Sequence, residues 1–129
     1  MSQKLIAEKL QIKENCKVLL VNEPKDYMLS LGKLPLNVTV TVKLSEKPFD
    51  IVQVFVNSRR ELEEKLSPLK PLLAGNGLLW VTYPKGTANA KTDVNRDSIR
   101  EYAQTLGLQA VSLVAIDRKL SALRLKIVS

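Results

Sequence analysis

The stretch LLWVTYPKGT, residues 78–87, places polar side chains directly after an apolar run. Tyr83 ends the run, Pro84 cannot donate a hydrogen bond to a sheet, and Lys85 follows at once. A lysine ammonium at the end of a strand can contact an anion, although it can equally be an exposed loop residue. The stretch lacks the G-x-x-x-x-G-K-[ST] spacing of a phosphate-binding loop. The pattern therefore predicts a strand that ends here, with at most single side-chain contacts to an anion.

Polar residues also follow two other apolar runs, KVLLVN (17–22) and FDIVQVFV (49–56). In open α/β sheets, ligands bind at the carboxyl ends of strands, where the strand order reverses. We predict a small-ligand crevice at that point, in which a helix N-terminus and a lysine would hold an anion. The candidate binding residues are Asn22, Glu23, Asn57, Ser58, Arg59, Tyr83 and Lys85.

Two of these candidates have structural explanations as well. Ser58 and Glu61 have the spacing of a capping box, in which Ser58 begins a helix, and no residue nearby in sequence could act as its base. Glu23 can be solvated or paired with Lys25. The sequence therefore predicts no catalytic residue.

The composition excludes several kinds of site. The chain has no histidine, which excludes histidine-based zinc sites and Ser-His-Asp or Cys-His nucleophiles. Cys16 is the single cysteine, so it forms no intrachain disulfide and is interpreted as a small hydrophobic residue. We predict neither a metal site nor a disulfide.

The net charge of +7 suggests a polyanion, but its distribution favours a solvated basic surface. Basic residues are spread along the chain beside acidic ones, and only 5% of residues are aromatic, which argues against a nucleic-acid face. No run approaches the roughly 20 apolar residues that span a bilayer, and the N-terminus lacks a signal-peptide core. We expect a single cytoplasmic domain over residues 1–129.

Apolar runs and alternation predict six strands, over residues 17–22, 37–44, 49–56, 78–83, 109–116 and 121–128. Helices are predicted over 3–9, 26–34, from Ser58 and from about 96 to 106, the last one capped by Asn95 or Asp93. Inward positions include Leu5, Ile6 and Leu10, then Tyr27, Met28, Leu31 and Leu34, and Leu123, Leu125 and Ile127 at the end. Arg124 and Lys126 should face solvent.

The helix after Ser58 should bury Leu62, Leu66, Leu69 and Leu73. Pro68 and Pro71 should segment it, because each lacks a helical donor. The run Gly75-Asn76-Gly77 is interpreted as the stop of this helix.

Strands alternating with helices predict a three-layer Rossmann-like α/β sandwich with a mostly parallel six-stranded sheet. Only the residues DRKL separate the last two strands, so these must form an antiparallel hairpin. The second and third strands are joined by only about four residues, SEKP, whereas a parallel crossover normally takes a dozen or more. Either the second strand is shorter than its pattern or it runs antiparallel.

The segment Phe49-Asp50-Ile51-Val52 and the terminal hairpin resemble a shortened S-adenosylmethionine-dependent methyltransferase fold. The resemblance implies the strand order 2-1-3-4-6-5 and favours a short, parallel second strand. It also implies a cofactor turn of the form G-x-G after the first strand, but residues 22–26 contain no glycine. Glu46 is the single candidate for the acidic residue that would hold the ribose. We therefore predict that S-adenosylmethionine binds weakly or not at all.

The whole chain also resembles a bacterial family of small proteins known only as a domain of unknown function. The matching segments are Leu78 to Thr87, Thr92 to Asp97, Gly107 to Asp117 and Ser121 to Arg124. This resemblance implies a fold and supplies no reaction.

Three functional classes follow. The first is a non-enzymatic module that binds a protein or a small anionic ligand on a degenerate methyltransferase-like scaffold. The second is a small-molecule methyltransferase, or a binder of a nucleotide-type cofactor, with an atypical first loop. The third is a basic accessory protein associated with nucleic acid.

Overall fold

The computed structural model describes residues 6–43, 48–85 and 93–128, apart from the side chain of Asn76. Four α-helices lie within these ranges: α1 (Ile6–Lys9), α2 (Tyr27–Ser30), α3 (Arg59–Lys65) and α4 (Arg96–Thr105). The strands are β1 (Lys17–Val21), β2 (Thr39–Thr41), β3 (Phe49–Phe55), β4 (Leu73–Pro84), β5 (Leu108–Ala115) and β6 (Leu120–Ile127).

The six strands form one sheet in the predicted order, β2-β1-β3-β4-β6-β5. The first four are parallel to one another, and β6 is antiparallel to both β4 and β5. The three-layer Rossmann-like prediction is therefore confirmed. The topology reverses between β1 and β3, which is the junction where a ligand crevice was predicted.

The second strand is parallel to β1, and it is shorter than its pattern predicted. It covers only Thr39–Thr41 instead of the predicted 37–44, which leaves residues 42–48 to return to the start of β3. An extended chain covers about 3.3–3.6 Å per residue, and β2 lies two strand spacings, about 9.6 Å, from β3. The seven residues of this connection, of which 44–47 lie outside the described residues, are enough to span that distance.

The two faces of the sheet bury separate clusters. One face packs Val52, Val81 and Leu125 against Leu62 of α3 and Ile99 of α4, and we call it the α3/α4 face. The opposite, α1/α2 face packs strand residues that include Leu20, Ile51 and Trp80 against Leu10, Tyr27 and Leu31. Both faces of the central strands are covered, which explains their continuous apolar runs.

Several helix boundaries differ from the predictions. The second helix is only Tyr27–Ser30, and Met28 is 48% exposed instead of facing the core. Leu34 lies beyond this helix and is only partly buried. Of the positions in the first predicted helix, Leu10 is buried and Ile6 is partly buried, whereas Leu5 lies outside the described residues.

The prolines segment the third helix as predicted. The α-helix gives way to a 3-10 helix over Ser67–Leu72, which contains Pro68 and Pro71. The predicted helix stop at 75–77 is wrong, because these residues lie inside β4, whose register with β3 jumps there. A Cβ at Gly77 would lie 3.0 Å from the carbonyl oxygen of Ala74 and 3.1 Å from that of Phe49, so a side chain at 77 would be crowded by the backbone of this irregular strand.

The C-terminal hairpin forms as predicted, with two corrections to side-chain positions. Leu123 and Leu125 are buried, but Ile127 is 39% exposed, since the strand leaves the covered part of the sheet there. Arg124 is half-buried instead of solvent-facing, and its Nε has no hydrogen-bond partner among the described residues. Within those residues, no helix is long and apolar enough to cross a membrane.

Trp80 tests the assignment of β4 as a central strand. Its side chain is fully buried, and its indole Nε1 donates to the carbonyl oxygen of Leu10 at 3.1 Å. Replacing Trp80 with Ala should lower the free energy of unfolding by about 3–5 kcal/mol, because it leaves a large cavity. Trp80→Phe retains most of the volume and should cost less. Chemical denaturation measures both, and a Trp80→Ala variant within about 1 kcal/mol of the parent would contradict the assignment.

Candidate functional site

Asn22 occupies the junction between β1 and β3. It directly follows β1 and has a backbone φ of 61°, in the left-handed region where glycine is usual and asparagine is tolerated. Its side-chain Nδ2 donates to the carbonyl oxygen of Phe55 at 2.8 Å and to Glu61 Oε2 at 3.3 Å. The Asn22 amide therefore joins the ends of the two strands at the point where the topology reverses.

The N-terminus of α3 is capped by its own first turn. Ser58 has extended backbone angles, and its hydroxyl accepts from the N–H of Glu61 at 3.1 Å, as the predicted capping box requires. The Glu61 carboxylate reaches one residue further back than predicted, because Oε1 accepts from the N–H of Asn57 at 2.7 Å. One carboxylate thus holds both Asn22 and Asn57.

A second carboxylate reaches the same helix end from far along the chain. Asp93 Oδ1 accepts from the backbone N–H of Arg59 at 2.8 Å. Asp93 was a candidate cap of α4, but that role belongs to Asn95, whose side chain accepts from the N–H of Ser98. The partial positive charge at the start of α3 therefore faces Glu61 and Asp93.

These contacts change the interpretation of the predicted crevice. The structure brings Asn22, Asn57, Ser58 and Arg59 together, as predicted from their positions at strand ends. The backbone N–H groups of Asn57 and Arg59 donate to the chain's own carboxylates, which therefore take donors that an anion would need. The Arg59 guanidinium points along the helix, with Nε 3.2 Å from Glu63 Oε2.

Glu23 is half-buried, but the described part of the chain gives it no hydrogen bond to this cluster and no ion pair with Lys25. The turn that contains it is held by Tyr27, whose ring packs edge-on against Phe55 at 4.6 Å between centroids. Asp26, just before Tyr27, also has a positive φ of 63°. The turn therefore adopts left-handed geometry at two positions with side chains instead of glycines.

Tyr27 also approaches a buried polar pair on the α1/α2 face. Gln53 Nε2 donates to Thr82 Oγ1 at 2.9 Å, and both residues are buried. Three effects together raise the pKa of Tyr27 to about 12. Burial is the largest and raises the pKa, the Gln53 side chain lowers it, and the negative charge of Asp117 raises it. Tyr27 Oη and Gln53 Oε1 are both buried, and neither has a hydrogen-bond partner in the part of the chain that the structure describes. The hydroxyl is a neutral packing group at ordinary pH.

The two remaining predicted residues lie in a different place. Tyr83 and Lys85 line a pocket of about 340 Å³ with residues of α4 and the β5–β6 hairpin. The other lining residues are Asn95, Arg96, Asp97, Leu113 and Ser121. The predicted crevice is thus divided between two sites, since the β4 end is flanked by β6 on its other side.

Tyr83 is nearly buried beside charged groups. Its exposed fraction is 6%, and burial raises the pKa of its hydroxyl, whereas Arg96 lowers it and Asp97 raises it. Lys85 is half-buried, and its backbone N–H donates to the carbonyl oxygen of Lys119 at 2.8 Å, which fixes the chain where β4 ends.

The features that a methyltransferase cofactor turn would need fit this chain poorly. Leu20 and Val21 end β1 with apolar side chains, and residues 22–26 after them contain no glycine. Glu46, the predicted candidate for ribose binding, lies outside the described residues. Within those residues, no group of three histidine, cysteine or acidic side chains is arranged to hold a metal ion.

No protein-family model matches the chain, and no curated protein is significantly similar to it. Solved structures share its fold. A SAM dependent methyltransferase from Aquifex aeolicus has a TM-score of 0.62 at 12% identity, over 93% of this chain and 86% of that one. A DhpI–SAH complex has a TM-score of 0.58 at 13% identity, over 95% of this chain and 82% of that one. The ribosomal protein L11 methylase from Lactobacillus delbrueckii subsp. bulgaricus has a TM-score of 0.57 at 11% identity, over 96% of this chain and 75% of that one.

These structures show that the chain has a methyltransferase-like Rossmann fold. The identities are low, so the likeness concerns the fold alone. It agrees with the resemblance noted from Phe49–Val52 and the terminal hairpin.

Removing Glu61 tests the polar link at the β1–β3 junction. Glu61→Ala should lower the free energy of unfolding by about 1–2 kcal/mol, because the N–H of Asn57 loses a charged acceptor. Glu64→Ala is the matched control, since Glu64 lies on the same helix and its pair with Arg60 is exposed. The control should cost about 0.5 kcal/mol or less. Equal losses in urea denaturation would contradict the role of Glu61.

Proposed function

We propose that this chain is a non-enzymatic binding module that uses a methyltransferase-like scaffold without S-adenosylmethionine. One observation carries the proposal. The Asn22 amide and the Glu61 carboxylate link the end of β1, the end of β3 and the start of α3. A cofactor at this junction would have to break these contacts and leave their donors and acceptors unpaired, which costs free energy.

The turn after β1 supports the same proposal. Glycine in such a turn lets a ligand approach the backbone, whereas a side chain occupies that space. Here Asn22 and Asp26 fill the two left-handed positions, and Pro24 removes one backbone donor. The acidic groups nearest the α3 N-terminus, Glu61 and Asp93, would also repel the carboxylate of the cofactor's amino acid part.

A small-molecule methyltransferase with an atypical first loop is the second candidate. The observation that favours it is the likeness to the DhpI–SAH and DhpI–SAM–HEP complexes, at TM-scores of 0.58 and 0.60. The third class, an accessory protein on nucleic acid, rests on the net charge of +7 alone. Retention on heparin or RNA that falls steeply with salt would favour this class.

Calorimetry separates the first two functions. We expect no saturable heat with S-adenosylmethionine or S-adenosylhomocysteine, and a dissociation constant weaker than about 1 mM. A cofactor-binding methyltransferase measured with the same ligand stocks is the positive control. A dissociation constant in the low micromolar range would overturn the proposal and favour the methyltransferase.

A further inference from the structure

Arg124 is a cation on the α1/α2 face of the sheet. It lies on β6, an interior strand, opposite Trp80 of β4 and Ser112 of β5. Trp80 is fully buried on the α1/α2 face, and residues directly opposite each other in a sheet share a face. Ala122, two residues earlier on β6, belongs to the same face. The Arg124 side chain is therefore carried next to a buried indole instead of into solvent.

This arginine lacks an acceptor for its buried nitrogen. Arg124 Nε is buried and has no hydrogen-bond partner in the described part of the chain, and no carboxylate there forms an ion pair with the guanidinium. Buried polar atoms are normally hydrogen-bonded, and a partly desolvated charge normally has a counter-charge. The unpaired guanidinium indicates a position for an acceptor from outside the chain.

The Arg124 side chain lines a cavity of about 280 Å³ at the amino end of β4. The register of β4 with β3 jumps from Leu73 to Leu78, and β6 joins β4 only from Leu79 onward, so residues 74–77 lie outside both ladders. Bulges are frequent next to active sites, because they interrupt a ladder and re-aim side chains. The lining residues of the cavity are Gly75, Gly77, Leu78, Arg124, Lys126 and Ile127.

The charge of this cavity is positive. Arg124 and Lys126 project from the same face of β6, two residues apart, and no acidic residue is among the lining residues. A separate pocket, which shares one lining residue with the cavity, holds Asp50 and Glu14, and Asp50 accepts from the backbone N–H of Lys17 at 2.8 Å. The cavity beside Arg124 therefore has two cations and no carboxylate of its own.

We propose that this cavity binds a phosphate monoester, with the Arg124 guanidinium and the Lys126 ammonium holding the phosphate. A guanidinium can donate two parallel hydrogen bonds to phosphate oxygens, and an ammonium beside it adds a second positive charge. A phosphate monoester carries a charge of about −1.5 to −2 at neutral pH, which matches two cations, whereas a carboxylate carries only one negative charge. The inference rests on the proposed function as a binding module and names its ligand class. It places the anion at the opposite end of the sheet from the crevice that the sequence predicts.

The size of the cavity suits a small ester. Its volume of about 280 Å³ is close to the lower limit of about 300 Å³ for small-molecule sites. Gly75 adds open space at the wall, since no described atom beyond its chain neighbours lies within 4 Å of a Cβ built there. Leu78 and Ile127 supply apolar walls for the organic part of the ligand.

Titration of the ¹⁵N-labelled full chain with phenyl phosphate, at constant ionic strength, tests the proposal. We expect saturable amide shifts at Gly75, Gly77, Lys126 and Ile127. Inorganic phosphate should bind more weakly because it makes no apolar contacts, and benzoate should bind more weakly because it carries a single charge. Arg124→Lys should weaken the binding of phenyl phosphate at least tenfold, since lysine keeps the charge but loses a hydrogen bond of the guanidinium fork.

Arg124→Met separates a binding role of the arginine from a structural one. Methionine keeps much of the apolar stem and removes the unpaired charge, so the variant without ligand should melt at or above the Tm of the parent. Its affinity for phenyl phosphate should be lost. A Tm well below that of the parent would show that the arginine has a structural partner, and it would overturn the assignment of an unpaired cation.

Two matched controls remove cations of the same types elsewhere. Arg118→Lys and Lys119→Gln change exposed residues of the β5–β6 turn, at the other end of β6. Both variants should bind phenyl phosphate like the parent. Lys126→Gln should weaken binding, and it provides the test if the Arg124 variants do not fold.

Linear shifts scattered over surface lysines, or unchanged affinity in the Arg124 and Lys126 variants, would overturn the site. Tighter binding of benzoate than of phenyl phosphate would overturn the assignment of a phosphate. These failures leave the proposed function standing, because that proposal fails only if S-adenosylmethionine binds.

Discussion

The Glu61 carboxylate is the contact on which the arrangement of the β1–β3 junction depends. Its two oxygens accept from the N–H of Asn57 and from the side-chain amide of Asn22. The amide also donates to the carbonyl oxygen of Phe55, so three segments of the chain meet at one ionised group. Hydrogen bonds to a charged acceptor are the stronger ones, which makes this link costly to open.

A methyltransferase-like sheet offers its ligand crevice where the strand order reverses, and here this crevice holds the chain's own polar groups. The carboxyl end of β4 is a separate place, because Tyr83 and Lys85 line a pocket there with residues of α4 and the β5–β6 hairpin.

Sequence reasoning predicts the sheet well because its signals are local. Continuous apolar runs mark the strands buried on both faces, and Ser58 with Glu61 marks the start of α3. The error at Gly75–Gly77 has a physical cause, since glycines that stop a helix are also suited to an irregular strand, and local pattern does not separate the two.

The candidate site was harder to predict, because its decisive contacts join residues distant in sequence. Asp93 caps a helix that begins at Arg59, and no periodicity relates the two positions. Ser121 faces Tyr83 only because β6 lies beside β4. The predicted strand order already placed the last two strands next to strand 4, so it could have indicated that Tyr83 and Lys85 face the hairpin as well as β3.

A crystal structure of the chain grown with several millimolar S-adenosylmethionine tests the central claim most directly. The account predicts Asn22 Nδ2 within hydrogen-bond distance of both Phe55 O and Glu61 Oε2, with no cofactor density at the ends of β1 and β3. An ordered cofactor at that junction, with the Asn22 side chain turned away from Glu61, would contradict it.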